Sequence, residues 1–515
     1  MTSKGVGGVF ALAAVAASGC GGSSGGTPDS GIMPSETISW RVQGQPQLDL
    51  LFMIDNASSM ETAQANLKAN LGSFMDVLKS LTGGLPDLHI AVVTSDMGAG
   101  DGSSIAGCSV SGDDGVFRYQ ASGGCTSVGF TDPNATFLVD SGGANPTTNF
   151  GAQDITSVLE CILTVGSTGC GFQHQLGAVA RALGADGMGG PPPQNAGFLR
   201  PDALLGIVLL THEDDCTGPP GDPLFDPTSS KLASMYGPTE NFQCNEWGHK
   251  CLVPAGLPNA GTRQPPSRYA PNNLPTDTVT YTPPMAATSN CASFEDSPVL
   301  TSVRSIADGI KNLKSDPTNQ IFVSAIVGLN EGPSSNGYEV TWQTAPTIDT
   351  GPWPRITHAC GSDASGAPQG WADPAVRIEQ FVGEFGANGL VDNFCQANYG
   401  NTLATIATKL ALLNTTPCLN GTVATKKTST TPDCAVTAST PNAADPLHPI
   451  PTIIPFCNPA GPPCWQLAPA PAGSGCSGLN VLVDDGGAPF PANTTITATC
   501  ELCVPGYPDP SRGCP

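Results

Sequence analysis

The stretch LDLLFMIDNASSM, residues 48–60, contains an almost unbroken apolar run that ends at an aspartate and a group of small residues. Apolar side chains at successive positions are typical of a strand buried on both faces, as in a parallel sheet covered by helices. Ligands of such sheets bind beyond the carboxyl ends of the strands. Asp55 and Ser59 therefore mark a candidate site, with Ala57 standing between them.

Segments typical of helices and strands alternate along the chain after this strand. In chain order they are 61–81, 88–96, 155–163, 172–183, 203–211, 299–313, 320–328, 375–385 and 402–413. The alternation predicts an α/β fold, a doubly wound and mostly parallel sheet with helices on both faces. Long Cys-, Gly- or Pro-rich inserts interrupt the pattern near 97–150, 215–291 and 330–370.

The N-terminus predicts export. A single lysine precedes an apolar run at 9–17 that is too short to span a membrane, and small residues then lead to Cys20. This pattern resembles a bacterial lipobox, although Ala17 stands where the motif prefers leucine. The prediction is a lipoprotein signal peptide over 1–20 with lipidation at Cys20; the alternative is a secretory signal cleaved nearby. A Gly/Ser-rich flexible tether is expected over 21–45.

The cysteine count supports the same compartment. The chain has 19 cysteines, and the 18 that remain without Cys20 are an even number, which in an exported protein indicates disulfides. The zinc alternative is limited to Cys500 and Cys503, a CxxC with no second pair at zinc-finger spacing. Residues 415–515 lack helical periodicity and are rich in Cys and Pro, which predicts a small disulfide-held C-terminal module.

The chain is acidic because basic residues are few: 20 Lys and Arg stand against 43 Asp and Glu, for a net charge of −23. A surface of this sign repels phosphate backbones, so nucleic acid is excluded as a partner. No HExxH or Walker-type motif occurs, and GxSxG occurs in the Gly/Ser-rich stretch 21–26 and not as an elbow between a strand and a helix. An enzyme is therefore not expected, and the one acid–base candidate would be the cluster Glu213, Asp214 and Asp215.

The stretch DLLFMIDNASSM (49–60) resembles the first strand and metal loop of von Willebrand factor A (VWA) domains, which carry Asp-x-Ser-x-Ser there. GSTGCGFQHQL (166–176) resembles the family's Gly-rich threonine loop, and VLLTHEDDC (208–216) resembles its strand that ends at an aspartate. The same segments resemble a myxobacterial-type group of lipoproteins with Cys-rich A domains. The resemblance implies a VWA-like domain over 46–414.

The resemblance also implies a divalent cation, Mg²⁺ or else Mn²⁺ or Ca²⁺, that bridges to a partner's carboxylate. Hard cations take oxygen ligands, and the implied set is Asp55, Ser59, Thr168 and Asp214. Two departures weigh against the metal: Ala57 offers no hydroxyl, and His212 falls on the family's aspartate position. Thr168 has a second interpretation, as part of the cap of the helix that follows.

The expected function is that of an exported protein, lipid-anchored in the bacterial outer membrane or at the cell surface. Its A-type domain would bind a protein partner, mediating interaction or adhesion through the cation. The alternative is a metal-independent scaffold or assembly subunit of an envelope complex. Contact with the membrane is expected through the N-terminal lipid alone.

Overall fold

The computed structural model describes residues 33–515 apart from several internal segments. The segments outside the description are 43–45, 82–83, 101–104, 106, 120–130, 132–134, 144, 220–222, 227–230, 239–241, 254–258, 270–290, 330–337, 339, 345–351, 362–369, 414–417, 420, 443–448, 458–459, 470–477, 487–489 and 492–493. The expected signal peptide over 1–20, its lipidation site Cys20 and the first part of the tether lie outside the described residues.

Strands and helices are mixed through the first four fifths of the chain, and the described residues that follow form strands and one short 3-10 helix. The strands are β1 (Ser35–Val42), β2 (Gln47–Ile54), β3 (Asp87–Thr94), β4 (Leu138–Asp140), β5 (Leu204–Leu210), β6 (His249–Leu252), β7 (Arg263–Gln264), β8 (Cys291–Ser293), β9 (Ile321–Val327), β10 (Val340–Thr344), β11 (Pro352–Ile356), β12 (Cys360–Gly361), β13 (Trp371–Ala372), β14 (Gly389–Asn393), β15 (Cys418–Leu419), β16 (Cys434–Thr440), β17 (Ile450–Ile454), β18 (Cys464–Pro469), β19 (Leu479–Asp484) and β20 (Thr494–Glu501). The α-helices are α1 (Glu61–Lys79), α2 (Ile155–Ile162), α3 (Gln175–Leu183), α4 (Phe242–Gly248), α5 (Val303–Lys311), α6 (Pro317–Gln320), α7 (Val376–Gly383) and α8 (Gly400–Leu413).

A six-stranded sheet lies at the centre of the α/β domain, in the order β14-β9-β5-β2-β3-β4. Its strands are parallel except β4, which pairs antiparallel with β3 at one edge. The strand order reverses at β2, since β3 lies on one side of it and β5, β9 and β14 lie on the other. The predicted doubly wound, mostly parallel sheet is confirmed, and the two edge strands β4 and β14 are additions that the sequence pattern did not reveal.

Strand β2 owes its continuous apolar run to its position between two hydrophobic cores. Leu50 and Phe52 pack in the core built with α1, α2 and α8. Leu51 and Met53 point to the opposite face and pack in the core built with α3, α5 and α7. All four side chains are completely buried. Helices therefore pack against both faces of this strand, and its carboxyl end lies in the middle of the domain.

The C-terminal residues form a second, smaller unit together with β1. Strand β1 pairs antiparallel with β20 along its whole length, in a sheet of order β1-β20-β16-β17, and β15, β19 and β18 form another sheet. Ile38, Val436 and Val481 bring both sheets into one core. The tether predicted over 21–45 is corrected here, because residues 35–42 form a strand that contributes Ile38 to this core.

Disulfides hold the inserts and the C-terminal module, which confirms the disulfide prediction. They join Cys108 to Cys170, Cys216 to Cys244, Cys251 to Cys291, Cys360 to Cys395, Cys434 to Cys500, Cys457 to Cys464, and Cys503 to Cys514. The two cysteines of the CxxC thus belong to different disulfides, which removes them as zinc ligands.

We expect Ile38→Ala to destabilise the C-terminal module by about 2–5 kcal/mol, because it opens a cavity in the shared core. Differential scanning calorimetry of the purified chain measures the change. Thr37→Ala is the matched control, since Thr37 is exposed on the same strand and surface substitutions change stability by about 0.5 kcal/mol or less. A loss for Ile38→Ala no larger than the small loss expected for Thr37→Ala would contradict a structural role for β1.

Candidate functional site

Asp55 and His212 follow neighbouring strands at the point where the strand order reverses. Strand β2 ends just before Asp55, and the Asp55 N–H donates to the carbonyl of Leu210, the last residue of β5, at 3.0 Å. Crevices of this kind, beyond the carboxyl ends of strands at a switch point, bind ligands in open α/β sheets. We call the loops around Asp55, at 55–60, 95–98, 166–170, 211–216 and 371–373, the strand-end face.

The carboxylate of Asp55 is completely buried and accepts four hydrogen bonds. Its Oδ1 accepts from the Ala57 backbone N–H at 2.8 Å and from the Ser95 hydroxyl at 3.3 Å. Its Oδ2 accepts from the Thr211 hydroxyl at 2.8 Å and from Nδ1 of His212 at 2.9 Å. Residues after three different strands therefore compensate one buried negative charge, as a buried ion requires.

His212 connects Asp55 to Ser59. Its Nε2 lies 2.5 Å from the Ser59 hydroxyl oxygen and 3.5 Å from a carboxylate oxygen of Glu213. The imidazole is 2% exposed, whereas Ser59 is half-buried. The sequence predicted Asp55 and Ser59 as members of one site. In the structure the ring of His212 lies between them and contacts both.

The charges of this group depend on each other. Burial alone would lower the pKa of His212, but the carboxylates of Glu213 and Asp55 raise it to about 10. Burial would raise the pKa of Asp55, yet His212 and the hydrogen bonds from Ala57 and Thr211 hold it below the ordinary value. Burial raises the pKa of Glu213 against the opposing influence of His212. His212 is accordingly an imidazolium at neutral pH.

The predicted threonine loop lies against the Asp55 loop, but Thr168 points to solvent. The Gly169 N–H donates to the Asn56 carbonyl at 2.9 Å, and a Cβ at Gly169 would lie 2.2 Å from Asn56 Oδ1. Glycine is needed at 169 because the two loops approach so closely. Thr168 itself is exposed, and the contact with the Asp55 loop is made by its neighbour.

The placement of Asp214 corrects the implied ligand set. Its carboxylate accepts from His249 Nε2 at 2.7 Å and from the backbone N–H groups of Arg377 at 2.8 Å and Ile378 at 3.1 Å, at the start of α7. Successive residues in the loop after β5 point in different directions. The chain thus directs His212, and not Asp214, towards Asp55.

Each of the three inserts is fixed to the strand-end face. The first is tied to the threonine loop by the disulfide of Cys108 and Cys170. The second is held by His249 on Asp214. In the third, the Asp373 N–H donates to the His212 carbonyl at 2.7 Å, and the Trp371 ring lies edge-on to His212 at 4.8 Å between centroids.

The residues present do not fit a divalent cation. Such a cation needs about six oxygen ligands, whereas Asp55 already uses its four acceptor positions. Ala57 contributes a buried methyl group, and the His212 ring lies between Asp55 and Ser59. Among the residues that the structure describes, no three His, Cys, Asp or Glu side chains are grouped as metal ligands.

Several members of the site were not recognised from the sequence. Ser95 and Thr211 follow β3 and β5 directly, and Gln175 at the start of α3 donates to the Thr211 hydroxyl at 2.9 Å. Their polar side chains next to apolar strands were the available signal. Trp371 had no such signal, because it comes from the third insert and meets His212 through tertiary structure alone.

No protein-family model matches the chain, and no curated protein sequence matches it. Among solved structures it is similar to the pilus adhesin SpaC from Lactobacillus rhamnosus GG in its open conformation, with 9% identity over 92% of this chain and 42% of that chain and a TM-score of 0.28. It is also similar to von Willebrand factor type A from Catenulispora acidiphila (9% identity, 91% and 61% coverage, TM-score 0.25) and to the pilus adhesin RrgA from Streptococcus pneumoniae (10%, 91% and 58%, 0.26). The chain spans less than two thirds of the length of each. At TM-scores this low, the similarities support no inference about function.

We expect the pair of Asp55 and His212 to make stability depend on pH. His212 has a folded-state pKa of about 10 against an ordinary 6.5, so its contribution is complete below pH 6.5 and is lost as pH rises towards about 10. The Asp55 pKa is lowered, so its contribution is lost only in acid, as pH falls through that lowered value.

His212→Gln removes this contribution and should cost about 3–5 kcal/mol near pH 6, because it leaves the Asp55 charge without its ionic partner. Thermal melts of the two proteins at several pH values measure the effect. The melting temperature of the wild type should fall more steeply than that of the variant above pH 6.5. Parallel curves would show that His212 is neutral in the folded protein.

Proposed function

We propose that the chain is an exported, envelope-anchored lipoprotein whose VWA-like domain binds a protein partner with the strand-end face. The observation that carries the proposal is the attachment of all three inserts to the loops around Asp55. Recognition surfaces are commonly built from loops fixed on a rigid scaffold. Here disulfides and buried hydrogen bonds order the loops before any partner arrives, which lowers the entropy cost of binding.

The strand-end face offers both polar and aromatic groups to a partner. Ser58 and Thr168 are exposed, and Ser59 is half-buried beside them. Trp371 is half-buried, with the ring of His358 stacked on it at 4.2 Å between centroids. Aromatic anchors surrounded by polar groups are typical of protein interfaces. A protein partner therefore suits this face.

We propose binding rather than catalysis at this face, although Asp55, His212 and Ser59 are connected in the order of a hydrolytic triad. A triad needs a neutral histidine to take the proton of the serine hydroxyl. The pKa of His212 is raised to about 10 by Glu213 and Asp55, so its nitrogens are both protonated at neutral pH. The histidine then donates to Ser59 and cannot act as its base.

Export is supported by disulfides in separate parts of the chain. The disulfides of the inserts and of the C-terminal module are typical of proteins that fold in an oxidising compartment. Within the described residues, no helix combines the length and the apolar character needed to cross a membrane. We propose that Cys20 carries the lipid anchor.

We expect a photo-crosslinking amino acid at Thr168 to capture the partner in intact producing cells. Thr168 is exposed on the strand-end face. The same amino acid at Tyr507, which is 61% exposed in the C-terminal module, is the matched control. A discrete adduct from position 168 alone supports the proposal. An adduct from position 507 alone would move the binding surface to the module.

We expect Cys20→Ser to release the protein from the membrane fraction. The substitution removes the one thiol that a lipobox would modify, while the disulfide-bonded cysteines are unchanged. Fractionation and intact mass of both proteins provide the readout, because lipidation adds the mass of acyl chains to the mature N-terminus. Membrane association that survives the substitution would contradict the lipid anchor and leave the binding proposal untouched.

A further inference from the structure

We infer that the side chain of His212 takes the place of a divalent cation between Asp55 and Ser59, so that the strand-end face keeps its shape without metal. The inference concerns the internal construction of the site, and it stands or falls separately from the proposed partner. If it holds, a partner is recognised by direct contacts with the protein and not through a shared ion.

The imidazole ring of His212 lies between the two oxygens that a cation would bridge. Nδ1 lies 2.9 Å from Asp55 Oδ2 and Nε2 lies 2.5 Å from the Ser59 hydroxyl oxygen, so one ring spans the two groups. A magnesium ion needs its oxygen ligands at about 2.0–2.1 Å. The Asp55 and Ser59 oxygens contact different nitrogens of the ring, so one ion cannot reach both at that distance while the ring stands between them. The conflict is steric, and it is present in either protonation state of His212.

The Asp55 carboxylate has no acceptor position left for a metal. A carboxylate offers about four lone-pair positions, and Ala57, Ser95, Thr211 and His212 fill them. Three of these donors are backbone or side-chain groups next to the strand ends and cannot move far. A cation could bind only by displacing His212.

Contacts with neighbouring residues hold His212 in this position. Its ring packs against Trp371 at 4.8 Å and Phe394 at 6.3 Å between centroids, and its carbonyl accepts from the Asp373 N–H. Rotating the ring away would break contacts in the third insert. A cation that bound in the vacated space would lie beside Glu213 and His212. Ala57 has no hydroxyl to complete the coordination shell of that cation.

Metal titration of the purified full chain tests the inference. We expect isothermal titration with Mg²⁺, Mn²⁺ and Ca²⁺ to show no saturable heat for the wild type, and the melting temperature to be unchanged by a chelator. The double variant Ala57→Ser with His212→Asp places two further oxygens beside Asp55 and Ser59. We expect it to gain saturable binding and a melting temperature that rises with metal.

The matched control is His249→Asn, which removes another buried histidine from a carboxylate, Asp214, outside the Asp55 group. It should lose stability without gaining metal binding, which separates a freed site from general loosening. Saturable binding by the wild type that Asp55→Asn abolishes would overturn the inference. So would a folded double variant that binds no metal, because His212 would then not be what excludes it. If the double variant does not fold, the wild-type titration decides alone.

Discussion

The strand-end face depends on the compensation of one carboxylate, Asp55, that is completely buried at the middle of the sheet. An ion in this position is tolerated only when donors from the protein replace its lost hydration. The donors come from the loop of Asp55 itself, from the residues after β3 and from those after β5. The requirement thus fixes three loops relative to one another, and the inserts are attached to those loops.

Compensation is possible there because of the topology of the sheet. Strand β2 is the point where the strand order reverses, so its carboxyl end has β3 on one side and β5 on the other. Both neighbours run in the same direction and deliver their following residues to the same edge. The two cores that hold β2 leave its register no freedom, since a shift by one residue would exchange Phe52 and Met53 between them.

The sequence predicted the elements whose own pattern of apolar residues is recognisable. It missed those that depend on partners far away along the chain. Helix α1 was recognisable because its apolar residues recur at three- and four-residue spacing, and strand β2 because its apolar run is almost unbroken. Strand β1 was taken for tether, since its partner β20 lies more than 450 positions away. In the site, Asp55 and Ser59 were predicted from one loop. Asp214 was chosen over its neighbours, but its carboxylate contacts His249 and the start of α7, which local sequence does not reveal.

The identity of the residue at 212 decides what kind of face this can be. A divalent ion held by aspartates carries surplus charge and an open coordination position, so it attracts a further carboxylate. The imidazolium of His212 carries one charge, and the carboxylate of Asp55 neutralises it. Both its nitrogens already have acceptors. No N–H group of His212 is left to bind a partner. Selectivity must therefore come from the edge of the strand-end face, where Trp371 and the exposed hydroxyls of Ser58 and Thr168 meet solvent.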